Sequence, residues 1–298
     1  MAGKRFIICA ILLALFGLVS CGQDQKSDQP IRLGLDNTAE EAILGELLVY
    51  LIETKAGIKV EVTPDLAGGE TVMHPAMVKG DLDLYPEYTG TAWLAILKEK
   101  EIPEREELQR RLFEEYGKRF NFEWVGLYGF NNSYGLGVTG KVAREYDLKT
   151  YSDLAKVSEG LTFRAESGFF EREDGFKGLT ETYGMKFKEA RDVAFSLKYN
   201  AIEDGQADVI NIFTTDGRLA NTDVVTLVDD KNYFPEYRCG TVVRREVLEK
   251  NPKLKDALML MDGLIDDASM AGMNFKVESQ GREPKEVAQE FLTEKGLM

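Results

Sequence analysis

Between residues 31 and 97 the chain alternates strand-like and helix-like stretches, and that alternation limits its fold more than any other feature. Ile31-Arg32-Leu33-Gly34-Leu35 switches between apolar and polar side chains as a half-buried strand does. Asp36-Asn37-Thr38 can cap a helix over residues 39–54, where Ile43, Leu47, Leu48 and Leu51 recur at helical spacing. Residues 58–62 read as a second strand. Gly68-Gly69 then turns into a short helix over 71–79, and Asp81-Leu82-Asp83-Leu84 reads as a third strand. Parallel neighbours need a crossover, so such a βαβαβ run specifies an α/β unit with largely parallel strands. Pro86 has no N–H to give a ladder, and the third strand is expected to stop before it. Tyr88-Thr89-Gly90-Thr91 leads into the apolar run 92–97, read as a helix capped by Thr89 or Thr91. Two tyrosines, two threonines and a helix start therefore converge at one strand end, where α/β folds hold their ligands.

The remaining chain continues the mixed pattern. Residues 98–119 read as a charged surface helix, 123–130 as a strand, and 141–146 and the stretch after Ser152 as helices. Strands are expected at 162–165, 208–213, 224–228 and 241–243, and helices at 178–183, 195–203, from 253 onward and at 286–292. At 298 residues the chain is long enough for two domains. Its apolar share of 44% marks a globular chain. The net charge of -14 argues against nucleic acid or anionic lipid as direct partners.

Lys4-Arg5 followed by the apolar residues 6–19 forms a leader too short for a comfortable membrane span. Leu18-Val19-Ser20-Cys21 resembles a bacterial lipobox. Residues 1–20 are therefore expected to be a signal peptide, Cys21 a lipid-bearing N-terminus and 21–30 a tether; an ordinary secretory signal or an uncleaved anchor is the alternative. The other cysteines, Cys9 and Cys239, have no metal-ligand or redox spacing, and the single histidine, His74, has no catalytic partner in sequence. No Lys-Ser/Thr follows Gly68-Gly69, so a phosphate loop fails. Asp81 and Asp83 are spaced as solvated strand neighbours rather than as a glycosidase pair. An enzyme is not expected, nor a cofactor or metal.

A set of motifs carries a resemblance: GDLDLYPEYTGTAW at 80–93, NNSYGLGV at 131–138, YSDLA at 151–155, EREDG at 171–175, TTDG at 214–217 and DDKNYFPEY at 229–237. In this order they cover nearly the whole mature chain, and together they resemble the substrate-binding proteins of bacterial ABC importers for osmoprotectants such as glycine betaine and choline. The resemblance implies a two-lobe α/β fold of the periplasmic-binding-protein class (type 2). Lobe 1 would comprise 31–131 with 238–298 and lobe 2 would comprise 132–237, joined by two crossings. It further implies an aromatic box of Tyr88, Tyr134, Phe213 and Tyr237 around a quaternary ammonium. Such a cation donates no hydrogen bond and is selected by ring faces worth about 0.5–2 kcal/mol each. Phe213 stands where many relatives have Tyr.

By the same resemblance, Arg172 and Thr91 would hold a ligand carboxylate; the alternative is that Arg172 pairs with a neighbour such as Glu171 or Asp174 at a surface. The family's usual lysine after the first strand is replaced by Asp36. That acid would favour a purely cationic ligand if it reached the cleft; the alternatives are capping the next helix or neutralising Arg172, and capping is its expected role. The implied partners are a small quaternary amine and an ABC permease, with the protein a monomer tethered through Cys21. A receptor for another small solute, such as a polar amino acid, is the alternative within the same fold, with Asp36 then holding the ammonium.

Overall fold

Two five-stranded sheets carry the chain in the computed structural model, which describes residues 29–298 apart from 67, 195 and 196. The leader, Cys9 and Cys21 lie outside the described residues. The strands in chain order are β1 (Ile31–Gly34), β2 (Val60–Thr63), β3 (Leu84–Tyr88), β4 (Phe122–Asn131), β5 (Tyr134–Thr139), β6 (Thr162–Ala165), β7 (Glu189–Asp192), β8 (Val209–Phe213), β9 (Val224–Thr226) and β10 (Arg238–Arg244). The first sheet runs β2-β1-β3-β10-β4 and the second β7-β6-β8-β5-β9. β1 is parallel to β2 and β3, and β6 is parallel to β7 and β8. The strands that follow a crossing, β5 and β10, are antiparallel to their neighbours. The chain leaves the first sheet after Asn131 and returns to it at Arg238. This is the mixed α/β architecture expected from the sequence.

Each face of the first sheet is covered. Val243 and Leu33 point into a core built with the helices Ala39–Leu51, Pro252–Met259, Asp267–Glu278 and Pro284–Glu294. Val242 and Tyr85 point to the opposite face, where Met73, Met77, Trp93, Leu112 and Tyr116 pack. Full burial of each aliphatic side chain contributes about 1.5–3 kcal/mol before the conformational entropy of folding is subtracted. The second sheet has its own clusters, one around Phe163, Phe169 and Tyr151 and one around Ile210 and Ile212. Among the described residues no helix is long and apolar enough to cross a membrane.

Several local expectations are corrected. β3 begins at Leu84 and runs through Pro86 instead of stopping before it. Its pairing to β1 is confined to Leu33↔Leu84, while β10 pairs with all of Leu84–Tyr88. The proline therefore sits where one strand edge has no ladder to serve. Neither Thr89 nor Thr91 caps the following helix. The Thr89 hydroxyl instead donates to the Glu236 carbonyl at 3.0 Å and accepts from the Arg238 N–H at 3.0 Å, which fastens the end of β3 to the returning chain. The apolar run after Thr91 is a single π-helical turn, Ala92–Ile96.

Two strands were not expected, β5 and β7. Gly135 and Gly137 weaken the strand signal of β5, yet both are needed: a Cβ at Gly137 would lie 2.5 Å from Val224 and one at Gly135 3.0 Å from Ile212.

Candidate functional site

The strand ends bring the aromatic residues together. Tyr88 is the last residue of β3, Phe213 the last of β8, Tyr134 the first of β5, and Tyr237 immediately precedes β10. Tyr134 and Phe213 are direct partners in the antiparallel β5–β8 register, so their side chains share a face, with ring centroids 4.8 Å apart. Tyr237 meets Tyr134 edge-on at 5.5 Å and 82°. Phe169 and Phe234 pack against Tyr134 at 5.4 and 5.7 Å. Tyr88 faces the same space from the first sheet. All seven residues singled out in sequence for ligand contact line this one cleft, whose inner volume is about 160 Å³.

The cleft is also rich in acids that sequence reasoning did not single out. Glu40, in the first turn of the helix Ala39–Leu51, is 4% exposed. Its Oε1 accepts from the Tyr88 hydroxyl at 2.6 Å and from Asn132 Nδ2 at 2.8 Å. Its Oε2 accepts from the Thr215 hydroxyl at 2.7 Å and from Asn274 Nδ2 at 2.9 Å. One carboxylate thus gathers donors from both sheets' sides of the cleft. Burial raises its pKa, and these four hydrogen bonds act in the opposite direction. Glu41 beside it is raised well above the ordinary value, by burial and then by Asp36 and Glu40. In the sequence, Glu40 and Glu41 look like ordinary acids complementing a helix N-terminus.

Arg172 lies in the cleft wall and is already engaged. Its Nε and Nη2 each donate to Asp174 at 2.8 Å, and its Nη1 donates to Glu70 at 2.9 Å. The guanidinium carbon lies 5.6 Å from the Tyr134 ring centre. Asp174 also accepts from the Tyr237 hydroxyl at 2.7 Å. Burial alone would weaken the Arg172 charge; Tyr134, Asp174 and Tyr237 more than restore it, and its pKa lies above the usual arginine value. Glu171 is exposed and takes no part in this network.

Asp36 is a correction. Thr38 caps the helix, its hydroxyl accepting from the Glu41 N–H at 3.1 Å. The Asp36 carboxylate accepts from the adjacent Asn37 N–H at 2.7 Å and lines the cleft, where burial raises its pKa. Cys239 pairs in register with Tyr88 but is fully buried in the first core and does not line the cleft. His74 packs edge-on against Phe120 at 4.4 Å, and burial lowers its pKa to about 4, so it is a neutral core residue.

Two cleft carboxyls give a pH-dependent stability. Burial, then repulsion by Glu70, pushes Glu87 from 4.5 up to about 8, and burial followed by Asp216 pushes Glu278 to about 7. A carboxyl whose folded pKa is raised holds its proton more tightly when folded. Its contribution to stability is full below 4.5 and is lost as pH rises through the folded pKa. The melting temperature of the ligand-free protein is therefore expected to fall between pH 5 and pH 8, and Glu87→Gln should flatten the profile, most visibly between 7 and 8. Parallel melting curves of the two proteins across that range check this; identical slopes would refute the assignment to Glu87.

A strand-end cleft walled by aromatic rings between two α/β halves is where solute receptors bind. Residues 29–294 match the OpuAC family, the substrate-binding domain of ABC-type glycine betaine transport systems. The chain belongs to this family. It is 39% identical over 99% of its length to the ergothioneine transport permease/ergothioneine binding protein EgtU of Helicobacter pylori, and spans about half of that longer protein (54%). It is 35% identical to the carnitine transport binding protein OpuCC of Listeria monocytogenes, covering 97% of this chain and 96% of that one. Among solved structures, a glycine betaine/carnitine/choline ABC transporter protein superposes with a TM-score of 0.76 at 32% identity, over 90% of this chain and 99% of the other. As an OpuAC member the chain is a substrate-binding protein of an ABC transporter, a class that works outside the cytoplasm and is not enzymatic. The comparisons favour the betaine-type reading over a polar amino acid.

Proposed function

We propose that this OpuAC-family receptor captures a small quaternary-ammonium solute between Tyr88, Tyr134, Phe213 and Tyr237 and hands it to an ABC permease. The observation that carries this reading is the meeting of those four side chains at strand ends around one acid-lined cleft. A methylated ammonium gains from ring faces and from nearby carboxylates, and it leaves no donor unpaired in a cleft of this kind. Because Arg172 is held by Glu70 and Asp174, and Asp36 faces the cleft, a cationic head is the part of the ligand the site favours most. The names of the relatives give ergothioneine and carnitine as ligands of those proteins, and both are trimethylated ammonium compounds.

Residues 31–131 with 238–298 act as one lobe and 132–237 as the other, closing over the solute about the two crossings. Ligand contact by Tyr88 and Thr91 from one lobe and Tyr134, Arg172 and Phe213 from the other favours the closed form, which is the form a permease would recognise. Cys21 would carry the lipid that keeps a monomeric receptor at the membrane.

Calorimetric titration of the purified protein with glycine betaine, choline, carnitine and ergothioneine, with glutamine as control, tests the proposal. Saturable binding of at least one quaternary amine and none of glutamine is expected. Binding of glutamine alone, or of none of the amines, would overturn it.

A further inference from the structure

Two tyrosines of the cage share a feature that lies behind the rings. The Tyr88 hydroxyl donates to Glu40 at 2.6 Å and the Tyr237 hydroxyl donates to Asp174 at 2.7 Å. Of the two carboxylates, Asp174 is named in sequence only as a neighbour of Arg172, and Glu40 not at all. All four bonds at Glu40 come from hydroxyl or amide donors, and Asp174 accepts two Arg172 N–H bonds besides the phenol. An acceptor-only pattern of this kind fits the ionised form of both acids. We infer that Glu40 and Asp174 are the positioning residues that give the cage its preference for a cation over a neutral molecule of the same shape, acting through the phenolic hydroxyls of Tyr88 and Tyr237.

The physical basis has two parts. A phenol that donates to an ionised acceptor makes a short, strong bond, which fixes the ring plane and pushes electron density toward the ring face that a cation meets. The carboxylate charge also lies one ring length from the ligand, in surroundings that screen poorly, without having to touch it. The two acids are not alike in their further duties. Asp174 is balanced by Arg172, whereas no cation bonds Glu40 among the described residues. The larger effect is therefore assigned to Glu40.

The inference rests on the aromatic-cage reading above, and the test separates the two. The affinity of the full chain is measured for choline or glycine betaine, whichever binds, and for its carbon isostere, in which a tert-butyl group replaces the trimethylammonium. Glu40→Gln is expected to weaken the ammonium ligand about tenfold while changing the isostere less than about twofold, with a smaller shift in the same sense for Asp174→Asn. In a Tyr88→Phe background Glu40→Gln should have little further effect on that ratio. Equal weakening of ammonium and isostere would reduce Glu40 to a packing role, and an unchanged ratio would likewise overturn the inference. Should Glu40→Gln not fold, Tyr88→Phe decides alone: it keeps the ring and removes only the link, and must lower the ammonium-to-isostere ratio. A wild-type protein that binds no quaternary amine would instead sink the cage reading itself.

Discussion

Tyr88→Ala combined with Tyr237→Ala is expected to weaken binding of the quaternary amine sharply. Each ring face is worth about 0.5–2 kcal/mol to a bound cation, so losing two weakens binding by a factor of about 5 to 1,000. The loss is compounded because Glu40 and Asp174 each lose a hydroxyl donor, leaving buried acids less well paired. Tyr237 is 2% exposed and lies flat against the start of the helix after β3, where a Cβ at Gly90 would stand 2.7 Å from its ring. Its truncation therefore costs fold stability as well, about 3–5 kcal/mol on the scale of other buried aromatics. Titration at a temperature where the variant remains folded, with Tyr88→Phe as the ring-preserving control, separates the two effects. Wild-type affinity in the folded double variant would refute the aromatic cage.

Gly217→Ala is expected to impair ligand binding from outside the cage. Gly217 follows Thr215 and Asp216 on the second-sheet side and packs against the helix Asp267–Glu278, which belongs to the first. A Cβ there would lie 2.3 Å from the Phe275 backbone nitrogen and 2.5 Å from its Cα. Backbone cannot swing aside as a side chain can, so the two halves must separate locally. Thr215 would then be drawn away from Glu40 and from Asn274, whose Nδ2 also bonds the Thr215 carbonyl at 2.9 Å. Overpacking of this size costs about 1–3 kcal/mol, a factor of about 5 to 150 in affinity if it falls on the closed form alone. A variant with wild-type affinity would show that this junction is not part of closure.

The helix Ala39–Leu51 and the strands β1, β6 and β8 were legible because each has a clear apolar period. β5 was not, since its glycines answer to Val224 and Ile212 across the sheet rather than to local propensity. Pro86 misled for a similar reason: whether a proline fits a strand depends on which edge is paired, and that is a property of the sheet. Asp36 was assigned to the cap that Thr38 makes, because both have capping side chains and only the backbone path tells which one is in place.

By itself, the sequence determined the α/β alternation and the motif order that marks the family; the aromatic positions that meet in the cleft came through the resemblance those motifs carry. Those features depend on local period and on short motifs at strand ends, so they are readable along the chain. The tertiary structure alone decided what stands behind the rings. Glu40 meets Thr215 across 175 positions and Asn274 across 234, and Arg172 meets Glu70 across 102. No local pattern announces such pairs, because a buried carboxylate takes its partners from whichever elements the packed core brings within hydrogen-bond reach.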